Sequence, residues 1–287
     1  MSDQPLLGII GGSGLYAMPD LEDTEERVIS TPFGDPSAPI LLGTLNGYRV
    51  AFLARHGRQH TLTPTEVPYR ANIWALKSLG ARFILAVSAC GSLREDYAPG
   101  DIVIPNQLYD NTHLRARSFF EGGLVVHVGV AEPFCNAFGE QLLSACEKAG
   151  ATVHPSGGYV TIEGPRFSTL AESNTYRSWG LAIIGMTTSP EAFLAREAEL
   201  HYAVMAHVTD YDVWHEEPVS VDMVIRTIQQ NTQTAQQAIR HLVTDLQPGQ
   251  DCDCEDALAN AFITDVNAAP KATLKKLDLL VHKYLKK

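Results

Sequence analysis

The sequence of 287 residues has no apolar run long enough to span a bilayer. Its first residues, Met1–Pro5, also lack the basic stretch that begins a secretory signal peptide. Basic residues are few, with 22 Lys and Arg against 33 Asp and Glu, whereas broad binding to nucleic acid normally needs a basic face. These absences predict a cytoplasmic protein with no membrane or nucleic-acid partner, although an acidic protein can still hold a locally basic pocket.

Cysteine is scarce as well, since five residues in a chain of this length do not make a disulfide framework. Cys90, Cys135 and Cys146 lie in apolar stretches, which is typical of buried free thiols. Cys252 and Cys254 form a C-x-C pair that lacks two ligands for a zinc site, and no other Cys or His is close in sequence. We expect free thiols and no metal, with a reversible disulfide of the pair as the alternative.

Short β-rich runs alternate with helical patterns along most of the chain. Several runs are almost continuously apolar, as expected for strands whose sheet is covered by helices on both faces. The predicted strands are Leu6–Ile10, Ile40–Leu45, Tyr48–Ala54, Phe83–Ser88, Asp101–Pro105, Tyr159–Ile162, Leu181–Met186 and Tyr202–Val208. The predicted helices include Asn72–Leu79, Glu132–Ala149, one that starts at Ser189, and Ser220–Leu246. The pattern predicts a single α/β domain with a central sheet flanked by helices.

A turn-forming segment, Gln247–Gln250, interrupts the helical pattern and marks a boundary. It predicts a catalytic domain over residues 1–246 and a short helical C-terminal extension over residues 247–287. Within that extension, Asp256–Phe262 and Pro270–Tyr284 are the predicted helices.

A glycine-rich loop follows the first strand, with a G-x-G-x-x-A match over Gly12–Ala17. Alone, this match suggests a dinucleotide-binding turn. However, Pro19 interrupts the helix that should receive the pyrophosphate, and the loop Thr31–Pro36 stands where an acid at a strand end should hold a ribose. The remaining interpretations are a phosphate loop, in which Ser13 adds a hydroxyl donor, and a simple tight turn.

A basic loop with Arg55, His56, Arg58 and His60 follows the predicted strand Tyr48–Ala54. An Arg fork beside a His suits a phosphate dianion. A metal pair of the two histidines is disfavoured, because the flanking arginines would repel a cation. A solvated basic loop is the plain alternative.

Polar residues also follow other predicted strands, among them Ser88, Thr187 and the pair Asp210 and Asp212. Ligands of open α/β sheets bind at the carboxyl ends of the strands. We therefore expect hydroxyl and cationic phosphate donors to meet a pair of carboxylates at one edge of the sheet. Two solvated acids at a strand end are the alternative interpretation of the pair.

Seven segments, in chain order, resemble the S-methyl-5'-thioadenosine phosphorylase family. They are Gly11–Leu15, Arg55–His60, Ala71–Lys77, Ala89–Glu95, Glu163–Thr169, Met186–Glu191 and Thr209–Trp214. The resemblance implies the nucleoside phosphorylase fold, with a mixed sheet. It also implies a pentosyltransferase of methionine and purine salvage, which uses phosphate to cleave methylthioadenosine to adenine and 5-methylthio-α-D-ribose 1-phosphate.

Carried over residue by residue, the resemblance implies phosphate contacts from Ser13, Arg55, His56, Ser88, Ala89 and Thr187. Relatives often have Thr in place of the two serines, and the hydroxyl is kept. Met186 corresponds to the residue whose backbone meets the ribose, and Phe167 to the aromatic that stacks on the purine.

The family's alkylthio pocket corresponds to Val221, Val224 and Ile225, whose helical spacing fits simple core packing equally well. His127 corresponds to a residue that reaches this pocket from a neighbouring subunit of a trimer or a dimer of trimers. A structural role is the alternative for that histidine.

The chemistry of phosphorolysis fits the acid pair. Adenine leaves more easily if N7 receives a proton, and Asp210 is our candidate catalytic acid provided that its pKa is raised. Asp212 can accept from the 6-amino group, which favours 6-aminopurines; relatives that prefer hypoxanthine or guanine have Asn in the base pocket. No cofactor is expected, since phosphate is a co-substrate. A hydrolytic nucleosidase is the runner-up, but water needs no dianion cradle.

Overall fold

The computed structural model describes residues 6–215, 221–247 and 251–285, and within these ranges it leaves out the side chains of residues 13, 221–224, 226 and 228–230. The strands are β1 Leu6–Gly11, β2 Glu22–Arg27, β3 Ile40–Leu45, β4 Tyr48–Ala54, β5 Ala81–Ser92, β6 Ile102–Val103, β7 Gln107–Asn111, β8 Val153–His154, β9 Gly158–Ile162, β10 Ile183–Gly185 and β11 His201–Asp210. The α-helices are α1 Tyr69–Ser78, α2 Asn136–Lys148, α3 Leu170–Ser178, α4 Thr188–Glu197, α5 Val221–Asp245, α6 Lys271–Lys276 and α7 Asp278–Val281.

All the strands belong to one sheet, in the order β2-β3-β4-β1-β5-β10-β9-β7, with β11 paired to β5, β6 to β11 and β8 to β6. Strands β4, β1, β5 and β11 run parallel, whereas β3 pairs antiparallel with β4 and β10 antiparallel with β5. The sheet is therefore mixed, and the predicted fold class is confirmed. Because four parallel strands end at one edge, the segments that follow them lie side by side.

Alternating residues of β1 show how the sheet is covered. Leu6 and Ile10 pack into a core with α1 and α4, while Leu7 and Ile9 pack into a second core with α2 and α5. Each face of the sheet thus buries one helix pair, as the continuous apolar strands predict. No α-helix in the described part of the chain is both long and apolar enough to cross a membrane.

Strand β2 was not predicted, and its composition explains why. All six residues of Glu22–Arg27 are exposed, and five of them are charged. An edge strand that buries neither face carries no apolar alternation, so only its pairing with β3 defines it. Strands β7 and β8 and helix α3 were also missed.

The predicted helices of the C-terminal extension are wrong in detail. Residues Asp256–Phe262 form only the end of a short 3-10 turn and further turns, and the predicted helix Pro270–Tyr284 is divided into α6, α7 and a 3-10 turn. Tertiary hydrogen bonds replace helical ones here. The Leu258 amide donates to a carboxylate oxygen of Glu199 at 3.1 Å, and the Ala261 carbonyl accepts from the amide of His127 at 2.8 Å.

Candidate active site

Arg55 follows β4 and is buried, with 3% of its surface exposed. Its Nε and Nη2 donate to the two carboxylate oxygens of Glu191 at 3.0 and 2.9 Å. Nη1 donates to the Val87 carbonyl at 3.0 Å, and Nη2 to the Ile10 carbonyl at 3.4 Å. Burial lowers the pKa of Arg55, but the charge of Glu191 more than offsets this and raises it. The guanidinium therefore stays charged and joins β1, β4, β5 and α4.

These contacts change what Arg55 can offer a ligand. The edge of the guanidinium that suits a bidentate phosphate contact faces Glu191. Four of its five N–H groups already donate to protein atoms. Glu191 is an acid in the first turn of α4, and no local pattern indicates that it is the counter-ion of a residue 136 positions away. Its own carboxylate also accepts from the Tyr202 hydroxyl at 3.0 Å.

The basic loop divides into a part at the site and a part on the surface. The His56 ring is half-buried, and its Nδ1 lies 2.9 Å from the Leu62 carbonyl, so Nδ1 carries the proton. Burial, together with the charge of Arg55, lowers the pKa of His56 to about 4. Arg58 instead forms an exposed ion pair with Glu26 at 2.5 Å, and it does not join the site.

The remaining phosphate candidates lie around Arg55. Ser88 and Ala89 lie on β5 directly after Val87, whose carbonyl accepts from Arg55. Ser88 is buried, with its Oγ 3.5 Å from the Tyr159 hydroxyl, and Thr187 is buried at the start of α4. Ser13 begins the 3-10 turn after β1, and its side chain lies outside the described part of the structure.

Asp210 ends β11 and is buried next to Asp212, which lies in the following 3-10 turn. The Thr209 hydroxyl donates to Oδ2 of Asp210 at 2.7 Å, and the Asp212 amide to Oδ1 at 2.8 Å. Ser173 of α3 donates to Oδ2 of Asp212 at 2.5 Å. Burial raises the pKa of both carboxyls, and the charge of Asp210 raises that of Asp212 further.

Gly91 of β5 makes room for this acid pair. A Cβ at position 91 would lie 2.9 Å from Oδ1 of Asp210 and 3.2 Å from Cβ of Asp212. Hydrogen-bond donors from α3, from the end of β11 and from the turn after it thus hold both carboxyls in place. Within the described ranges, neither carboxylate forms an ion pair with Lys or Arg.

Arg115 organises the substrate side and was missed by the sequence reasoning. It is buried, and its Nη1 donates to the carbonyls of Met186 and Ser189, both at 2.7 Å. Nη2 donates to the Glu163 carbonyl at 2.7 Å. It thereby fixes the Met186 backbone, the atoms expected at the ribose. Nothing in the segment around Arg115 distinguishes it from a surface arginine, so no sequence signal could have found it.

Phe167 is 39% exposed and lies on the loop between β9 and α3, three residues before the helix begins. Because Ser173 joins α3 to Asp212, this loop is held on the side of the acid pair.

His127 is exposed on the surface of the single chain. Ile225 is 47% exposed near the start of α5. The side chains of Val221 and Val224 lie outside the described part of the structure.

This edge of the sheet holds no candidate metal site among the described residues. The four residues that could share a metal ion, Cys135, His201, Cys252 and Cys254, lie together at the opposite edge, where β11 begins.

Residues 6–244 match the family model described as the phosphorylase superfamily. An S-methyl-5'-thioadenosine phosphorylase of Geobacter sulfurreducens is 50% identical over 98% of this chain and 100% of its own, and one of Chloroflexus aurantiacus is 51% identical over 97% and 98%. A solved methylthioadenosine phosphorylase from an antarctic soil metagenomic library has a TM-score of 0.92 at 47% identity, covering 96% of this chain and 99% of its own. The Schistosoma mansoni methylthioadenosine phosphorylase in complex with adenine has a TM-score of 0.83 at 39% identity, covering 89% and 96%.

Proposed function

Since the chain belongs to the phosphorylase superfamily, we propose that it cleaves S-methyl-5'-thioadenosine with inorganic phosphate to adenine and 5-methylthio-α-D-ribose 1-phosphate. The family expected from the sequence motifs is confirmed by the family model and by curated relatives about 50% identical to the chain. The reaction is that of a pentosyltransferase, and it returns adenine to purine salvage and the methylthio sugar to methionine salvage.

The observation that carries the proposal is a buried acid with a raised pKa, Asp210, at the same strand-end edge as Arg55 and the hydroxyl groups near it. Phosphorolysis needs a nucleophilic anion on one side of C1' and a protonated leaving base on the other. A carboxyl without a counter-ion favours its acid form, and this is the form that can donate a proton to N7 of adenine.

On the phosphate side, we assign the anion to Ser13, Arg55, His56, Ser88, Ala89 and Thr187. Hydroxyl donors suit the oxygens of the anion. The guanidinium of Arg55 supplies positive charge and its one remaining N–H group, rather than a pair of parallel hydrogen bonds. With its proton on Nδ1, neutral His56 presents Nε2 as an acceptor, which suits a phosphate that keeps one proton.

On the nucleoside side, we assign the ribose to the backbone of Met186 and one purine face to Phe167. Asp210 donates to N7, and Asp212 accepts from the 6-amino group while the Ser173 hydroxyl holds it in place. A 6-oxo group would present an acceptor to an acceptor, so a 6-aminopurine is favoured. We assign the 5'-methylthio group to Val221, Val224 and Ile225.

We further propose a homo-oligomer, a trimer or a dimer of trimers, in which His127 reaches the site of a neighbouring subunit. The exposure of His127 in the single chain supports this assignment. For the proposed reaction, phosphate as co-substrate suffices without a cofactor. We expect the enzyme to act in the cytoplasm.

A phosphate-dependence assay tests the function against its runner-up, a hydrolytic nucleosidase. The full-length protein is incubated with methylthioadenosine with and without phosphate, and adenine and the sugar product are quantified. We expect adenine release to require phosphate and to equal the formation of sugar phosphate. Equal adenine release without phosphate, with the free sugar as product, would reject phosphorolysis. Arg58→Ala, which changes a surface ion pair of the basic loop, is the matched control and should keep its phosphate dependence.

A further inference from the structure

Three cysteines and one histidine meet at the edge of the sheet opposite the candidate active site. Cys135 precedes α2, His201 is the first residue of β11, and Cys252 and Cys254 lie in the C-terminal extension. Their sulfur and ring nitrogen atoms all lie within 4.8 Å of one another. The C-x-C pair alone lacks two ligands of a zinc site, and the fold supplies both from positions 117 and 51 residues away from Cys252.

The distances within this cluster match those of a tetrahedral zinc site. Zinc bonds of about 2.3 Å to sulfur and about 2.0 Å to nitrogen place two sulfurs about 3.8 Å apart, and a sulfur and a nitrogen about 3.5 Å apart. The sulfurs of Cys135 and Cys252 are 3.7 Å apart, and each lies 3.4 Å from Nδ1 of His201. Three edges of the tetrahedron are therefore already near their final length.

The surroundings prepare the histidine and the sulfurs to bind a cation. Nε2 of His201 lies 3.1 Å from a carboxylate oxygen of Glu255. This oxygen accepts a hydrogen bond from Nε2–H, so the proton of the ring stays on Nε2 and the lone pair of Nδ1 faces the sulfurs. Arg82 donates to the same carboxylate oxygen at 2.6 Å, and this contact orients it. Nη1 of Arg196 lies 3.5 Å from the sulfur of Cys254, where it can offset the negative charge of a zinc bound by three thiolates.

We propose that Cys135, His201, Cys252 and Cys254 bind a structural zinc ion. Three cysteines and one histidine close the tetrahedron and leave no open position, which is the pattern of structural rather than catalytic zinc. Thiolate and imidazole ligands select zinc over magnesium or calcium. On binding, each thiol loses its proton to solvent, four coordinate bonds form, and no atom changes oxidation state.

The position of the cluster indicates what the ion does. It joins the extension to the starts of α2 and β11, because two ligands come from each side. A few residues further on, the extension is hydrogen-bonded to the loop between β7 and α2. The Ala261 carbonyl accepts from the amide of His127, and the amide of Ile263 donates to the Val125 carbonyl at 3.0 Å. Zinc thus fastens the segment that presents His127 at the surface.

Metal analysis of the full-length protein, grown with zinc in the medium, is the first test. We expect about one zinc ion per chain in the wild type, and at least about a tenfold loss in the double variant Cys252→Ser/Cys254→Ser. Cys146→Ala, a buried cysteine of α2 outside the cluster, is the control and should keep its zinc. Glu255→Gln should weaken zinc retention about 10- to 100-fold, since it removes the carboxylate that orients His201.

A second test uses the wild type alone, so that it does not depend on the folding of a variant. A zinc chelator should release the ion, expose the three cluster thiols to a thiol reagent and lower the thermal midpoint. Cobalt(II) should then restore the midpoint and show sulfur-to-metal charge-transfer absorption. A wild type without zinc would overturn the proposal. This holds if its cysteines are all free, and also if a mass lower by two hydrogens shows a disulfide. Equal zinc in the double variant would mark the ion as adventitious and also overturn it.

Discussion

Two buried carboxyl groups lie at the same strand-end edge, and they differ in their partners. Glu191 is fully buried and shares both carboxylate oxygens with the Arg55 guanidinium. Asp210 is buried nearly as deeply, but its oxygens accept only from the Thr209 hydroxyl and the Asp212 amide among the described residues. The Arg55 guanidinium compensates the charge of Glu191, whereas burial without a cation raises the pKa of Asp210.

This difference in partners distinguishes a structural role from a catalytic one. A buried ion pair keeps its charge and fixes the elements that carry it, but removal of one partner leaves an uncompensated charge. A buried acid without a cation weakens the fold at neutral pH, yet it can exchange a proton with a substrate. We infer that Glu191 positions Arg55 and that Asp210 acts on the base.

The largest expected effect is on activity. Asp210→Asn removes the proton donor, so kcat/KM for methylthioadenosine should fall about 10²- to 10⁴-fold, measured at saturating phosphate. Because the acid form is the active one, wild-type activity should fall as the pH rises through the raised pKa of Asp210, and the variant should lose this dependence. Unchanged turnover would remove Asp210 from its role.

The same variant should unfold at a higher temperature than the wild type at neutral pH. The stabilising contribution of a group with a raised pKa is present below its unfolded pKa and is lost as the pH rises through the folded one. Asn has no charge to bury at any pH. A lower midpoint at neutral pH would show that the carboxylate stabilises the fold.

The next effect is on stability. Glu191→Gln leaves the Arg55 charge buried without a counter-ion, and the free energy of unfolding should fall by about 3 kcal/mol. Denaturant unfolding measures this change. The exposed pair of Arg58 and Glu26 provides the comparison, since Arg58→Ala should change stability by about 0.5 kcal/mol or less. Equal losses in both variants would show that burial does not distinguish the two pairs.

The smallest effect comes from a third buried acid, away from the site. Glu197 of α4 accepts from the Phe119 amide and the Ser118 hydroxyl, both at 2.7 Å, and burial raises its pKa to about 7. Its stabilising contribution is full below about pH 4.5 and is lost as the pH rises through 7. The gain in thermal midpoint from Glu197→Gln should therefore grow between pH 5 and 8, and a gain independent of pH would contradict the assignment.

Several strands could be predicted from the sequence because their buried residues form apolar runs. Strands β3 and β4 have the predicted bounds, Ile40–Leu45 and Tyr48–Ala54, and β1 extends only one residue beyond its prediction. By contrast, β2 and the turns of the extension depend on partners far along the chain. Their local sequence carries no periodic apolar signal, so tertiary contacts alone define them.

The candidate site divides in the same way. Its residues at strand ends could be found because a polar side chain after an apolar strand stands out, as with Arg55, Ser88 and Asp210. Arg115 and Ser173 could not, since each acts through contacts that exist only in the folded chain. Arg115 donates to the Met186 carbonyl, and Ser173 donates to Asp212.

The sequence by itself determined the α/β class, the family and the edge of the sheet at which the candidate site lies, because local patterns record burial and strand direction. Only the tertiary structure decided how each buried charge is compensated. It gave Arg55 the counter-ion Glu191, left Asp210 without a counter-ion among the described residues, and brought Cys135 and His201 to the C-x-C pair. Electrostatic energy and metal coordination depend on distances of a few ångströms between residues far apart in the chain, and such distances exist only once the chain has folded.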